Sequence, residues 1–314
     1  MKTDALAAFV NAEPYFEAIR EAHPDARISL LTVEALQRVA RAAPYFDHVA
    51  VAPNLNDADA KRAFVRQLRE ARFSRVYDLS GDDLARKIQA AFGVMGPKWL
   101  CAAPSGRRAR DVVEALRAGP NAARLSSVGV EAPERLPAFT WALDARKDSA
   151  NMKPSWFGVS GAFGLLLPGI DPERRWPARH YGEFARMMAR GGVMPVIVGS
   201  RDIHGFADKI AEVAPEVVDL TGKADHLQLA SLAREATFFV SDSAEEVELA
   251  VSVGCAGVLI KRLGEEDASP VGRHLMTLTV RHSMEEATPD FVWRSLRNMG
   301  LIPEEADRAM VLER

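Results

Sequence analysis

Short apolar runs alternate with longer amphipathic segments along most of the chain. The runs Ile28–Thr32, His48–Ala52, Arg75–Leu79, Phe163–Leu167, Pro195–Gly199, Val217–Leu220, Thr237–Ser241, Gly257–Ile260 and Met276–Val280 predict buried strands. Between them, segments such as Ala178–Arg190 and Leu227–Glu235 repeat apolar positions three or four apart, the spacing of a helix with one face inward. Strand–helix alternation with short connections predicts βαβ units and mostly parallel sheets. Sheets covered on both faces explain strands that are apolar throughout instead of alternating.

The alternation weakens between Leu143 and Ala162, where LDARKDSANMKPSWFGVSGA is rich in Asp, Lys, Ser, Pro and Gly. That stretch reads as a connection between domains. The expected organisation is a first domain over 1–150, a second over 151–290, and a C-terminal helix (Pro289–Asn298) and charged tail closing the chain over 291–314. A length of 314 residues suits two domains.

Composition narrows the partners. Lys and Arg number 40 against 43 Asp and Glu, so the net charge of -3 gives no reason to expect nucleic acid or an acidic membrane. Two cysteines, Cys101 and Cys255, make neither a disulfide framework nor a four-Cys zinc site and suit a reducing compartment. No apolar run approaches the roughly 18 residues of a membrane span. The stretch Leu6–Val10 is too short for a signal-peptide core, which leads to the expectation of a soluble cytoplasmic protein. Dinucleotide, P-loop, nucleophile-elbow and HExxH motifs are absent. The histidines are scattered without metal-ligand spacing and read as surface or packing residues. No cofactor and no metal are expected.

The second half carries blocks whose order is informative. Pro168-Gly169 is followed by Arg174-Arg175-Trp176-Pro177 and a helix. Val196–Gly199 is a strand ending in glycine. Asp219-Leu-Thr221-Gly222-Lys223, Phe239-Val-Ser-Asp242-Ser243 and Leu249–Cys255 come next. Together with Pro14–Thr32 near the start, this set resembles glycosyltransferase family 9, which holds the ADP-heptose:lipopolysaccharide heptosyltransferases. The resemblance covers most of the chain. It implies an α/β, GT-B-like fold: two Rossmann-like domains with mostly parallel sheets facing a cleft. It also implies an acceptor-type first domain supplying a carboxylate base and a second domain holding a nucleotide-sugar donor. The implied chemistry is inverting sugar transfer, with backbone N–H groups and a basic side chain neutralising the leaving diphosphate. Carried over residue by residue, the nucleotide-sugar-binding candidates are Arg174, Gly199, Asp202, Thr221, Gly222, Lys223, Asp242 and Ser243.

The chain departs from the family pattern where chemistry is concentrated. An ungapped anchor on Pro14 and His23-Pro24 places the family's base aspartate on Ala8, and a methyl group takes no proton. Asp4 is the only carboxylate nearby and needs a four-residue shift. Few residues precede Ala8, so the family's first strand is expected to be missing or replaced from elsewhere, unless the true start of the protein lies upstream. In the donor loop, the family's D-[ST]-G-P-x-H-L-A becomes Asp242-Ser-Ala-Glu-Glu-Val-Glu248-Leu-Ala250. Glu245 and Glu246 suit the start of a helix by about 0.3–1 kcal/mol each. A like-charge contact with a diphosphate at 4 Å costs about 4 kcal/mol at an effective dielectric of 20, which outweighs that gain.

Two functions follow from these observations. One is a heptosyltransferase-like protein, catalytically impaired or inactive, serving in binding, scaffolding or regulation with a weakly held nucleotide or sugar and a protein partner. The other is an active inverting transferase moving a sugar from an ADP-sugar to a lipopolysaccharide or envelope polysaccharide acceptor.

Overall fold

The computed structural model describes residues 1–3, 5–92, 96–100, 125–126, 128–131, 135–144, 149–264 and 274–302. Two compact units divide the chain, Met1–Pro137 and Ala138–Arg314.

The first unit has helices α1 (Leu6–Asn11), α2 (Glu13–Ala22), α3 (Gln37–Ala42), α4 (Ala58–Glu70) and α5 (Asp83–Phe92). Strand β1 (Ser29–Thr32) pairs in parallel with β2 (His48–Val51), and β3 (Arg75–Tyr77) pairs in parallel with β4 (Lys98–Leu100). Between the two pairs lies the main chain of Met1–Thr3. The Lys2 N–H donates to the Leu31 carbonyl at 3.0 Å on one side. On the other, the Leu79 N–H donates to the Met1 carbonyl at 3.0 Å and the Met1 amino group donates to the Tyr77 carbonyl at 2.6 Å. Bonds from Met1 to residues two apart on its neighbour are the parallel pattern. These residues therefore stand where a central strand belongs.

Aromatic packing closes this unit. Phe9 of α1 and Phe16 of α2 are buried with ring centres 5.2 Å apart, and Phe46 meets Phe16 edge-on at 5.1 Å. Beside them the buried Glu13 accepts from the Tyr45 hydroxyl and from both terminal nitrogens of Arg135, which also reaches Glu17 at 2.7 Å.

The second unit holds one six-stranded sheet, all parallel. Its strands are β5 (Phe163–Leu167), β6 (Met194–Ile197), β7 (Val218–Asp219), β8 (Phe238–Ser241), β9 (Gly257–Arg262) and β10 (Leu275–Val280). Their order is β10-β9-β8-β5-β6-β7. The chain steps from β5 outward to β7, returns to the other side of β5, and steps outward again. This is the doubly wound arrangement, and its strand order reverses between β5 and β8.

Helices α6 (Thr140–Asp144), α7 (Ala178–Arg190), α8 (His204–Val213), α9 (His226–Glu235), α10 (Ala244–Ser252) and α11 (Pro289–Asn298) complete the unit. Tyr181, Phe184, Ala185 and Met188 recur at helical spacing on α7 and are buried. Phe184 packs against Phe238 of β8 and Trp293 of α11. The end of the stretch expected as the interdomain connection is folded onto this unit. Two 3₁₀ turns, Ala150–Met152 and Pro154–Phe157, sit beside α9, where Gln228 donates to the Asn151 carbonyl at 3.0 Å and Ser231 donates to the Met152 carbonyl.

Candidate functional site

In a doubly wound sheet the residues just past the carboxyl ends of the strands, at the order reversal, form the natural ligand crevice. Here those residues are Pro168-Gly169 after β5 and Asp242-Ser243 after β8, with Gly199 after β6 and Thr221-Gly222-Lys223 after β7 further along the same edge. The eight binding candidates of the second unit fall on this edge or in the loops leaving it.

Asp242 is engaged by its own protein. Its Oδ1 accepts the Gly169 N–H at 2.5 Å, and its Oδ2 accepts the Trp176 N–H at 2.6 Å and the Tyr181 hydroxyl at 3.0 Å. Three donors from one loop and the helix after it thus converge on one carboxyl. Burial pushes this carboxyl up to about 7, against the lowering pull of those donors and of Arg175. The Tyr181 hydroxyl, itself buried, is raised well above its ordinary value by burial and by the neighbouring Asp242. Gly169 is required by the close approach: a Cβ there would stand 3.0 Å from Asp242 Oδ1 and 3.1 Å from the Ser243 Cβ.

Arginine on this loop is likewise turned inward. Arg175 Nε donates to the Gly169 carbonyl at 2.7 Å, Nη2 donates to the Ile170 carbonyl, and the guanidinium lies 4.3 Å from the Phe206 ring centre. Arg174 is more open and stands 3.6 Å from Asp171.

The start of α10 is closed by its own side chains. Ser243 is the N-cap: its Oγ accepts the Glu245 N–H at 3.4 Å and donates to Glu246 Oε2 at 2.7 Å. Burial raises the Glu246 carboxyl above its ordinary range, partly offset by the Ser243 bond. Glu245 is exposed and Glu248 is buried. The expected capping by acidic residues is thus carried by Ser243 together with Glu246.

A second polar group gathers past β6 and β7. The Thr221 N–H and hydroxyl both donate to Asp219 Oδ1, at 2.8 and 2.7 Å. His204 Nδ1 lies 3.0 Å from Thr221 Oγ1 and 3.3 Å from Asp219 Oδ2. Lys223 Nζ donates to the Asp219 carbonyl at 2.7 Å, and the Gly222 N–H donates to the Gly199 carbonyl at 2.9 Å. Gly222 has φ +67°, the left-handed region that glycine tolerates. Asp202 is exposed and accepts from its neighbour Ser200 at 2.9 Å. The sequence reads His204 as a surface or packing residue, and its side chain is largely exposed. Its only local signal was its place shortly after the strand-ending Gly199.

In the first unit, Ala8 lies inside α1, partly buried, its carbonyl accepting the Ala12 N–H at 3.2 Å. Asp4 lies outside the described residues, as does Cys101. Among the described residues no group of three or more His, Cys, Asp or Glu is placed to hold a metal ion, and no helix is long and apolar enough to cross a membrane.

No protein-family model matches the sequence, and no curated protein matches it. Solved structures do. The chain is similar to ADP-heptose lipopolysaccharide heptosyltransferase II of E. coli, with a TM-score of 0.73 and 16% identity over 97% of this chain and 98% of that one. It is similar to a family 9 glycosyltransferase from Veillonella parvula, with a TM-score of 0.70 and 16% identity over 95% of each. The E. coli heptosyltransferase WaaC, solved with ADP-2-deoxy-2-fluoro heptose, gives a TM-score of 0.69 and 16% identity over 95% of this chain and 99% of that one. The fold is therefore α/β and GT-B-like, of the kind found in family 9 heptosyltransferases.

Proposed function

We propose that this chain is a heptosyltransferase-like protein in which sugar transfer has been lost or impaired, and that it acts in binding, scaffolding or regulation. The observation that carries this reading is the closed start of α10. In the family pattern the corresponding helix begins D-[ST]-G-P, where free N–H groups can meet a diphosphate. In this chain Ser243 takes an N–H of the first turn, and Glu246 is drawn onto Ser243. A carboxylate at that place repels a diphosphate. The ungapped sequence anchor that sets the family's base on Ala8, with Asp4 reached only by a four-residue shift, supports the same reading from the other unit.

The neighbouring enzyme WaaC has been solved with ADP and with an ADP-sugar analogue, and full-length likeness to it supports nucleotide-sugar as the ligand class. That likeness also favours a second reading: an active inverting transferase that draws its base from another carboxylate.

Calorimetry with ADP, ADP-heptose and adenosine separates the two. On the first reading adenosine binds at least as well as ADP, because the Asp219–Thr221 edge meets the uncharged part of the ligand. Micromolar ADP-heptose binding by the unmodified protein overturns it. Gain of ADP binding in the triple variant Glu245→Gly, Glu246→Pro, Glu248→His identifies the loop as the cause.

A further inference from the structure

A cavity of about 420 Å³ opens in the second unit at the amino-terminal ends of β5 and β8, the end of the sheet away from the candidate crevice. Leu143, Met152, Pro154, Val159 and Phe163 give it an apolar floor. Lys153, Arg234 and Glu235 also line it, and all three are exposed.

Local structure builds this hollow. The 3₁₀ turn Pro154–Phe157 ends on Gly158 at φ +73°, and the Val159 N–H donates back to the Pro154 carbonyl at 3.1 Å, which draws Pro154 and Val159 together. Ser231 of α9 fastens the turn before it by donating to the Met152 carbonyl. Arg234 follows Ser231 by three residues, so the two share a face of α9. Its Nη1 donates to the Val253 carbonyl at 3.0 Å. The next residue keeps that contact open: a Cβ on Gly254 would stand 3.3 Å from the same nitrogen. One nitrogen of the guanidinium is thus fixed, and its other donors are left for another acceptor. Among the described residues neither Arg234 nor Lys153 is paired with a carboxylate, whereas Arg174 and Arg179 of the same unit stand beside Asp171 and Glu183.

We propose that this cavity binds a compact apolar molecule carrying a single carboxylate. The apolar body covers the floor, and the carboxylate accepts from the donors of Arg234 that Val253 leaves unused, with Lys153 adding a second positive charge. An apolar surface with a few placed polar groups is the ordinary make-up of a small-molecule site. Glu235 sets the charge of the ligand: the second negative charge of a phosphate monoester would meet a like charge there. An uncharged molecule of the same shape gains nothing from the two cations. The site shares no residue with the crevice at the other end of the sheet, so its test is independent of nucleotide binding.

The probe is isocaproate, titrated into the full chain at neutral pH. It binds in the millimolar range or tighter, and isocaproamide, which has the same shape and no charge, binds at least tenfold more weakly. Arg234→Gln weakens isocaproate binding severalfold. Lys153→Gln does the same with an unchanged thermal midpoint, since Lys153 is exposed, and so keeps the test open where Arg234→Gln disturbs the Val253 contact. Isoamyl phosphate binds more weakly than isocaproate, and Glu235→Gln narrows that gap. The ε-methyl NMR signal of Met152, assigned through Met152→Leu, shifts on addition of isocaproate, and that of Met188, buried on α7, does not. Absence of binding, equal affinity for the acid and the amide, undiminished affinity in both cation variants, or an unmoved Met152 signal overturns the proposal. Tighter binding of isoamyl phosphate than of isocaproate also overturns it, because the ligand class is then a dianion.

Discussion

Oδ1 of Asp242 accepts the Gly169 N–H at 2.5 Å, tying the carboxyl ends of β8 and β5 together across the point where the strand order reverses. With the Trp176 N–H and the Tyr181 hydroxyl on Oδ2, the contact makes Asp242 the anchor of the loop between β5 and α7. All three of these donors come from Asp242's own chain.

This anchor gives stability a pH dependence of definite sign. The carboxyl titrates at about 7 in the folded protein, raised by burial, and at about 3.9 when unfolded. The folded state holds the proton more tightly, so its contribution is full below pH 4 and is lost as pH rises through 7, at up to about 1.4 kcal/mol per pH unit. Thermal unfolding between pH 4 and 8 in the unmodified protein and in Asp242→Asn measures it. The variant has the shallower dependence.

Arg135 is expected to be worth more than a surface ion pair. It holds the carboxyl of Glu13, a side chain only 1% exposed, and that of Glu17. Arg135→Ala takes that guanidinium away from the buried Glu13 carboxyl, at a cost of about 2–4 kcal/mol, scaled down for the partial exposure of the arginine. Denaturant unfolding followed in the first unit reads the loss. A further Glu13→Leu change recovers part of it, since the stranded charge is removed.

Gly222→Ala is expected to destabilise the second unit by about 1–3 kcal/mol. The residue has φ +67°, and an added Cβ would stand 2.9 Å from the Arg201 Cβ. Thermal unfolding reads the change. Asp202→Ala, at an exposed site, shifts stability by no more than about 0.5 kcal/mol.

Ser243→Ala removes the cap of α10 at a cost of about 1 kcal/mol and releases Glu246 from its hydroxyl partner. ADP binding does not improve, because the carboxylate remains. Glu246→Gln improves ADP binding more than Ser243→Ala does, and calorimetry on the two single variants ranks them.

Much of the second unit is legible along the chain. Phe163–Leu167 is an unbroken apolar run, and all five residues are buried in β5. Lys98–Leu100 gave no such signal: three residues with a leading lysine form β4 only because β3 offers an edge. Near the start the sequence predicts a strand missing or replaced, whereas the main chain of Met1 and Lys2 bonds to the strand pairs on both sides. In the site, Asp242 stood out in the sequence, but its role did not. Its donors come from residues 61 to 73 positions away, where no local pattern can announce them. The meeting of His204 with Asp219 depends in the same way on β6 and β7 lying side by side.

The closed start of α10 also bears on how the protein would respond to the metabolite pool around it. A transferase with an open donor site is held folded in part by its substrate: at a hundred times the dissociation constant, binding adds about 2.7 kcal/mol. On the proposed reading this chain forgoes that contribution. Its folded fraction is then set by internal packing, such as Trp176, Tyr181, Phe184 and Trp293 in the second unit, and stays constant as sugar-nucleotide levels rise and fall.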